Sequence, residues 1–415
     1  MSGKVPQPEL NIGMVGHVDH GKTTLTEALS GIWTDTHSEE LKRGITIYLG
    51  YADTSFYRCP KCEFPKNHTT KEVCPHCGSK TVFLRRVSFV DAPGHETLLT
   101  TMLAGAAIMD GALLLVAANE PCPQPQTREH LLALEFMGLD RIVIVQNKID
   151  IVSEERAREN YKEITEFVKG TIAEGAPIIP VSAHFDANID VLIYAIEKMI
   201  PTPPRKRLEE PFRMHIARSF DVNRPGTHWK DLVGGIIGGS ITRGRVRVGD
   251  EIEIVPGITG KDSKTGKYFY EPISTEVTSL KCGTVEYDEL TPGGLAAIGT
   301  KLDPTLTKKD QLRGAIVGAP GTLPPVREHI VLETHLMEYV VGLSTQQKVE
   351  KIKTGDMLLL NIGTANTIGV VTSPREDTIE MRLTMPVAAE DGQRVALSKR
   401  VGGRYHIIGY GIITG

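Results

Sequence analysis

Gly16-His17-Val18-Asp19-His20-Gly21-Lys22-Thr23 decides how the N-terminal half of this 415-residue chain is read. The stretch fits G-x-x-x-x-G-K-[ST], a loop whose glycines let backbone N–H groups wrap phosphate. An apolar run from Asn11 to Val15 precedes it and an amphipathic run from Thr23 to Ser30 follows, so the spacing predicts strand, loop and helix in that order. In such a loop Lys22 neutralises β- and γ-phosphates and the Thr23 hydroxyl binds Mg²⁺. The positive end of the helix points at the same charge. The candidate phosphate contacts are Asp19, His20, Gly21, Lys22, Thr23 and Thr24. Alone, the loop would serve ATP as well as GTP.

Outward from this loop, short apolar runs alternate with longer amphipathic ones as far as about Pro204. Strands are expected at Val87 to Val90, Ala112 to Ala117, Ile142 to Gln146 and Ile178 to Val181. Helices are expected at Thr127 to Met137, Glu154 to Lys169 and Ile189 to Met199. This order predicts an α/β domain with a mostly parallel sheet and helices on both faces. Asp91-Ala92-Pro93-Gly94-His95 follows one strand, so Asp91 can reach magnesium and the Gly94 N–H can meet a γ-phosphate; the aspartate could also serve only as a helix cap. Asn147-Lys148-Ile149-Asp150 follows another. The Asp150 carboxylate can accept from both N1–H and the exocyclic amine of guanine, donors that adenine does not offer together. Ser182-Ala183, after the next strand, can bring a backbone N–H to the guanine O6. Four such elements at strand ends, in this order, predict a GTPase.

The chain is too long for one core, at roughly 150 residues per domain. Pro201, Pro203 and Pro204, followed by Arg205, Lys206 and Arg207, read as a linker. Beyond it, β-branched runs alternate with glycine turns such as Gly234-Gly235 and Gly293-Gly294, and a proline cluster at Pro320, Pro324 and Pro325 splits this region. The expected domains are residues 1–205, then β-barrels at 206–325 and 326–415.

With 40% apolar and 24% charged residues the composition is that of a folded globular protein. A net charge of −4 excludes a dedicated, non-specific nucleic-acid binder, so any RNA contact must be local. No apolar run suits a membrane span, and Met1 to Glu9 lacks a signal-peptide core. The cytoplasm is the expected compartment.

Of six cysteines, four form two C-x-x-C pairs, Cys59 with Cys62 and Cys74 with Cys77, with eleven residues between the pairs. In a reducing compartment that spacing points to metal rather than disulfides. Four thiolates make a closed tetrahedral Zn²⁺ site without the open position that catalysis needs, so a structural zinc knuckle is expected as an insertion at about 56–80. His68 and His76 are the substitute ligands. Cys122 and Cys282 are expected to be small buried apolar residues.

The wording GHVDHGKTT, RGITI and DAPGH resembles the translational GTPases, a group that includes elongation factor Tu and the initiation factors. That resemblance implies that Thr46 closes over magnesium and the γ-phosphate. It makes about Thr34 to Thr46 the first switch and begins the second at DAPGH. It assigns His95 to positioning the attacking water, with Val18 and Ile45 as an apolar gate. The phrases WTDTHSEELKRGITI, NEPCPQPQTREH, RSFDVNRPGT, GTKLDPTLTKKD and GRYHIIGYGII are similar to the gamma-subunit family of archaeal and eukaryotic translation initiation factor 2. Membership implies a heterotrimer with alpha and beta subunits. Gamma, its core, carries methionylated initiator tRNA to the small ribosomal subunit with GTP and releases it after hydrolysis to GDP. Arg218, Arg224 and Arg404 are candidate RNA phosphate contacts or, as isolated arginines, surface ion-pair residues.

The competing expectations are an elongation-type carrier of aminoacyl-tRNA, including the selenocysteine-specific factor, and a GTP-binding scaffold without turnover. The knuckle is absent from the elongation factor Tu pattern. Intact Thr23, Thr46, Asp91 and His95 speak against the scaffold.

Overall fold

The computed structural model describes residues 5–35, 46, 49–95, 99–204, 208–261, 268–340 and 347–415. The chain separates into two compact units between Pro204 and Arg205.

The first unit is built on a seven-stranded sheet: β1 (Asn11–Gly16), β2 (Gly50–Arg58), β3 (His68–Thr69), β4 (Val82–Asp91), β5 (Gly111–Ala117), β6 (Ile142–Asn147) and β7 (Ile178–Pro180). Their order is β3-β2-β4-β1-β5-β6-β7. β4, β1, β5, β6 and β7 run parallel, while β2 and β3 add an antiparallel edge. All six residues of β1 and all seven of β5 are buried, as expected for strands covered on both faces. Alternate residues of a strand share a face. Thus Ile12 and Met14 of β1 join Leu113 and Leu115 of β5 in one apolar layer with α1 (Lys22–Ser30). Helices α2 (Leu99–Ala106), α3 (Pro125–Met137), α4 (Glu154–Val168) and α5 (Ile189–Met199) complete the unit. α5 adds Ile189, Leu192, Ile193 and Ile196 to the same layer, an i, i+3, i+4, i+7 stripe. α4 starts where Ser153 accepts from the Arg156 N–H, with Glu154 and Glu155 in its first turn.

Three elements were not among the expected ones. β2 alternates buried and half-buried residues, and its polar Asp53 is held by Arg86 and Ser88 of β4 at 3.2 and 2.5 Å. β3 is two residues long, and α2 has no acidic residue in its first turn and no basic one in its last.

The second unit contains two barrels. The first is formed by β8 (Arg213–Phe220), β9 (Ile236–Arg243), β11 (Glu251–Lys261), β12 (Tyr268–Cys282), β15 (Ala296–Thr300) and β16 (Ile316–Gly318). It is closed by pairing of β11 with β12, and β13 (Val285–Tyr287) is appended to β12. β10 (Val246–Arg247) and β14 (Glu289–Leu290) make a small ribbon. Met214, Ile216, Ile254, Leu280 and Ile298 fill the interior. The second barrel closes in the order β17-β20-β19-β18-β21-β22, from Val326–Leu336, Thr378–Ala388, Ala365–Pro374, Met357–Ile362, Arg394–Val401 and Arg404–Ile413. Full closure removes the unpaired edges of the main sheets. Cys282 is buried as expected, whereas Cys122 is only half-buried. Arg218 donates to Asp310 at 3.0 Å, so it is an ion-pair residue here. No helix among the described residues is long and apolar enough to cross a membrane.

Where the barrels meet, buried Arg213 donates to the Glu390 carboxylate and to the Thr322 carbonyl at 2.7 Å. His215 lies beside them, its imidazole pushed down to about 4 by burial and by Arg213. The unfolded chain protonates this histidine below about 6.5, but the folded chain does so only near 4. Stability is therefore complete above the unfolded value and is lost as pH falls through the window between the two. The residue as a whole is only half-buried, so the expected loss is discounted to on the order of 2 kcal/mol. Thermal unfolding of His215→Gln across that window should fall less steeply than that of the wild type; parallel curves would refute the assignment.

Candidate nucleotide and metal sites

The phosphate loop leaves β1 at Gly16 and enters α1 at Gly21, whose φ of 86° lies in the left-handed region. A Cβ at Gly21 would sit 2.3 Å from Asn147 Nδ2, so both the turn and the close approach require glycine. Asp19 also has positive φ, at 60°, and is exposed. Lys22 is buried and donates to the His17 carbonyl at 2.7 Å. Burial pushes its ammonium down to about 8, against the pull of Asp91, Asp19 and Asp35. A cation short of compensation at the mouth of a loop of backbone N–H groups is suited to phosphate. Gly94 closes the far wall, since a Cβ there would lie 2.4 Å from Lys22 Nζ and 2.9 Å from Val18 N.

Thr23, Thr46 and Asp91 come together although they are far apart in the chain. Thr23 Oγ1 donates to Asp91 Oδ2 at 2.8 Å and lies 3.2 Å from Thr46 Oγ1. Thr34 Oγ1 also donates to Asp91 Oδ2, at 2.6 Å, a contact the sequence did not signal. Asp91 is fully buried, and its Oδ1 has no hydrogen-bond partner among the described residues. Burial pushes the carboxyl up to about 6 despite Thr34 and Lys22. One under-compensated carboxylate with hydroxyls beside it is the oxygen donor set that a hard divalent cation takes.

The two loops expected to meet the base are locked to the phosphate loop. Asn147 Nδ2 donates to the His20 carbonyl at 3.0 Å and its Oδ1 accepts from the Ala183 N–H at 3.1 Å. Lys148 takes φ 63°, which starts a short 3₁₀ turn, Ile149–Ile151, and leaves Asp150 exposed. Ser182 is buried and bridges to Ala187. Thr24, on α1, lines a cavity of about 420 Å³ together with Ala183.

In the knuckle, all four cysteine Sγ atoms lie within 4.8 Å of one another. Cys59 and Cys77 are 3.4 Å apart, and Cys62 and Cys74 3.7 Å. A tetrahedral zinc with bonds of about 2.3 Å needs sulfur separations of about 3.8 Å. The Lys61 N–H donates to Cys59 Sγ at 3.4 Å, and Gly78 N–H to the Cys74 carbonyl at 2.9 Å, so the backbone is already folded around the sulfurs. His68 and His76 are not in the cluster. His68 instead packs edge-on to Tyr194 of α5 at 5.3 Å, and Phe64 packs on the same ring at 4.8 Å.

The chain is 61% identical to translation initiation factor 2 subunit gamma of Methanothermobacter thermautotrophicus, over 98% of this chain and 99% of that protein. It belongs to that family. The Methanocaldococcus jannaschii member is 59% identical over 99% of this chain and 98% of its own length. Residues 7–202 match the elongation factor Tu GTP binding domain, 234–317 elongation factor Tu domain 2, and 328–413 the C-terminal domain of initiation factor eIF2 gamma. The first unit is thus a GTP-binding domain, and the chain is a GTPase. Among solved structures, a bacterial selenocysteine-specific elongation factor is similar with TM-score 0.72 at 24% identity, over 98% of this chain and 58% of that one. The elongation factor SelB of Methanococcus maripaludis with the GTP analogue GppNHp gives 0.71 at 23%, over 99% and 80%. At these identities the likeness is one of fold.

Of the residues expected at the site, the structure assembles Lys22, Thr23, Thr46, Asp91 and Gly94 at one end of the parallel strands, with Asn147 and Ala183 locked to the loop beside them. His95 is half-buried, directly after Gly94, and Val18 half-buried in the loop. Ile45 lies outside the described residues, as do 36–44, most of the expected first switch. The His20 ring is engaged by the Leu115 carbonyl at 3.0 Å and by Glu120 at 3.3 Å.

Proposed function

We propose that this chain is the GTP-dependent switch subunit of translation initiation factor 2. It binds methionyl initiator tRNA in the GTP state, delivers it to the small ribosomal subunit in the cytoplasm and releases it after hydrolysis. Identity of 61% across essentially the full length of an archaeal gamma subunit carries this reading. Alpha and beta subunits are its partners in the heterotrimer. We read residues 1–205 as the GTPase domain, with 206–325 and 326–415 as the barrel domains.

In this account the backbone of Asp19, His20, Gly21 and Thr24 cradles the phosphates and Lys22 neutralises them. Magnesium, held by Thr23, Thr46 and Asp91, supplies charge neutralisation at the β- and γ-phosphates. The Gly94 N–H meets the γ-phosphate. His95 orients the attacking water behind Val18 and Ile45, because positioning and electrostatics dominate phosphoryl transfer. Asn147, Lys148, Asp150, Ser182 and Ala183 hold guanine. In the test, GTP-loaded factor retains methionyl initiator tRNA on a filter, and hydrolysis in the presence of small subunits frees it. Retention that ignores hydrolysis contradicts the switch.

Zinc held by Cys59, Cys62, Cys74 and Cys77 fixes the knuckle. Chelation should release zinc and make Lys61, Lys66 and Lys71 sensitive to trypsin, whereas the buried strands stay intact. Unchanged digestion after complete chelation would count against a structural metal.

A further inference from the structure

The phosphate loop is gripped from behind as well as lined in front. At its first residue, Gly16, the N–H donates to His130 Nδ1 at 2.9 Å. His130 stands on α3 and is buried. Further along the loop, the buried His20 ring is held by the Leu115 carbonyl at 3.0 Å and by Glu120 at 3.3 Å. Accepting at Nδ1 puts the imidazole proton of His130 on Nε2. Burial pushes the His130 imidazole down to about 3, so it remains a neutral acceptor throughout the neutral range.

We infer that His130 is a positioning residue for nucleotide binding, tying the first residue of the phosphate loop to α3 and thereby setting how long guanine nucleotide stays bound. This rests on the assignment of the loop to guanine nucleotide. Without the acceptor, the Gly16 N–H is orphaned in the interior, and the peptide relieves that by rotating. Rotation at Gly16, whose φ of 141° only glycine readily adopts, swings the following N–H groups away from where phosphate is held.

The test compares His130→Ala, His130→Asn and Leu134→Ala in the full chain, following release of a fluorescent GDP analogue and the Tm of each. Asparagine offers Oδ1 close to where Nδ1 sits. Leu134 is a fully buried residue of the same helix and serves as the packing control. His130→Ala should release GDP about 10- to 100-fold faster. His130→Asn should stay within about threefold of wild type, and Leu134→Ala should lower Tm while leaving release unchanged. The inference is overturned by wild-type release from His130→Ala, by His130→Asn behaving like alanine, or by Leu134→Ala accelerating release as much. A wild-type chain that fails to hold GDP at all overturns the nucleotide assignment itself, and this inference with it.

Discussion

Replacing Asp150 with asparagine is expected to exchange the preferred base from guanine to xanthine. The carboxylate accepts two hydrogen bonds from guanine, one from N1–H and one from the exocyclic amine. Asparagine keeps one acceptor and turns the other oxygen into a donor, which guanine's amine cannot meet but the C2 carbonyl of xanthine can. Hydrogen bonds to a charged group contribute about 1.5–3 kcal/mol each, so GTP affinity should fall by about 10²–10⁴ while XTP gains. Asp150 is exposed and sits outside the lattice that holds Asn147 to His20 and Ala183, so the fold should be unchanged. Competition of XTP and GTP for the variant, with Tm as control, checks this. A variant that still prefers GTP would remove Asp150 from the base site.

The second large effect is expected at His95. Its replacement by alanine should slow GTP hydrolysis on the small ribosomal subunit by about 10²–10⁴-fold, the range for a group that positions or shuttles protons. GDP affinity should hold, because Lys22, Thr23 and Asp91 form a connected set without it. Single-turnover hydrolysis alongside equilibrium GDP binding separates the two quantities. Equal loss in both would make His95 a residue of the binding site rather than of the reaction.

Much of this was legible because the signals were local. The loop from Gly16 to Thr23 carries its own glycines, lysine and threonine, and α5 carries an unbroken apolar stripe whose ends coincide with those expected. β5 is a continuous apolar run and so is β1 after Asn11, as expected of a buried parallel strand. What stayed hidden depends on partners distant in sequence. Thr34 reaches Asp91 across 57 residues, and Gly16 reaches His130 across 114. Neither a lone threonine nor a lone histidine announces such a contact. β2 was missed because Asp53 is polar in a strand, and its burial depends on Arg86 and Ser88 of a neighbour not yet placed. Arg218 was ambiguous for the same reason until Asp310 stood beside it.

The most direct measurement is filter retention of methionylated initiator tRNA against methionylated elongator tRNA, by this chain with and without the proposed alpha subunit, in GTP and in GDP. The account predicts that only the initiator species with GTP is held strongly. Equal retention of both tRNAs would contradict the initiation assignment and leave a guanine-nucleotide switch of a different kind.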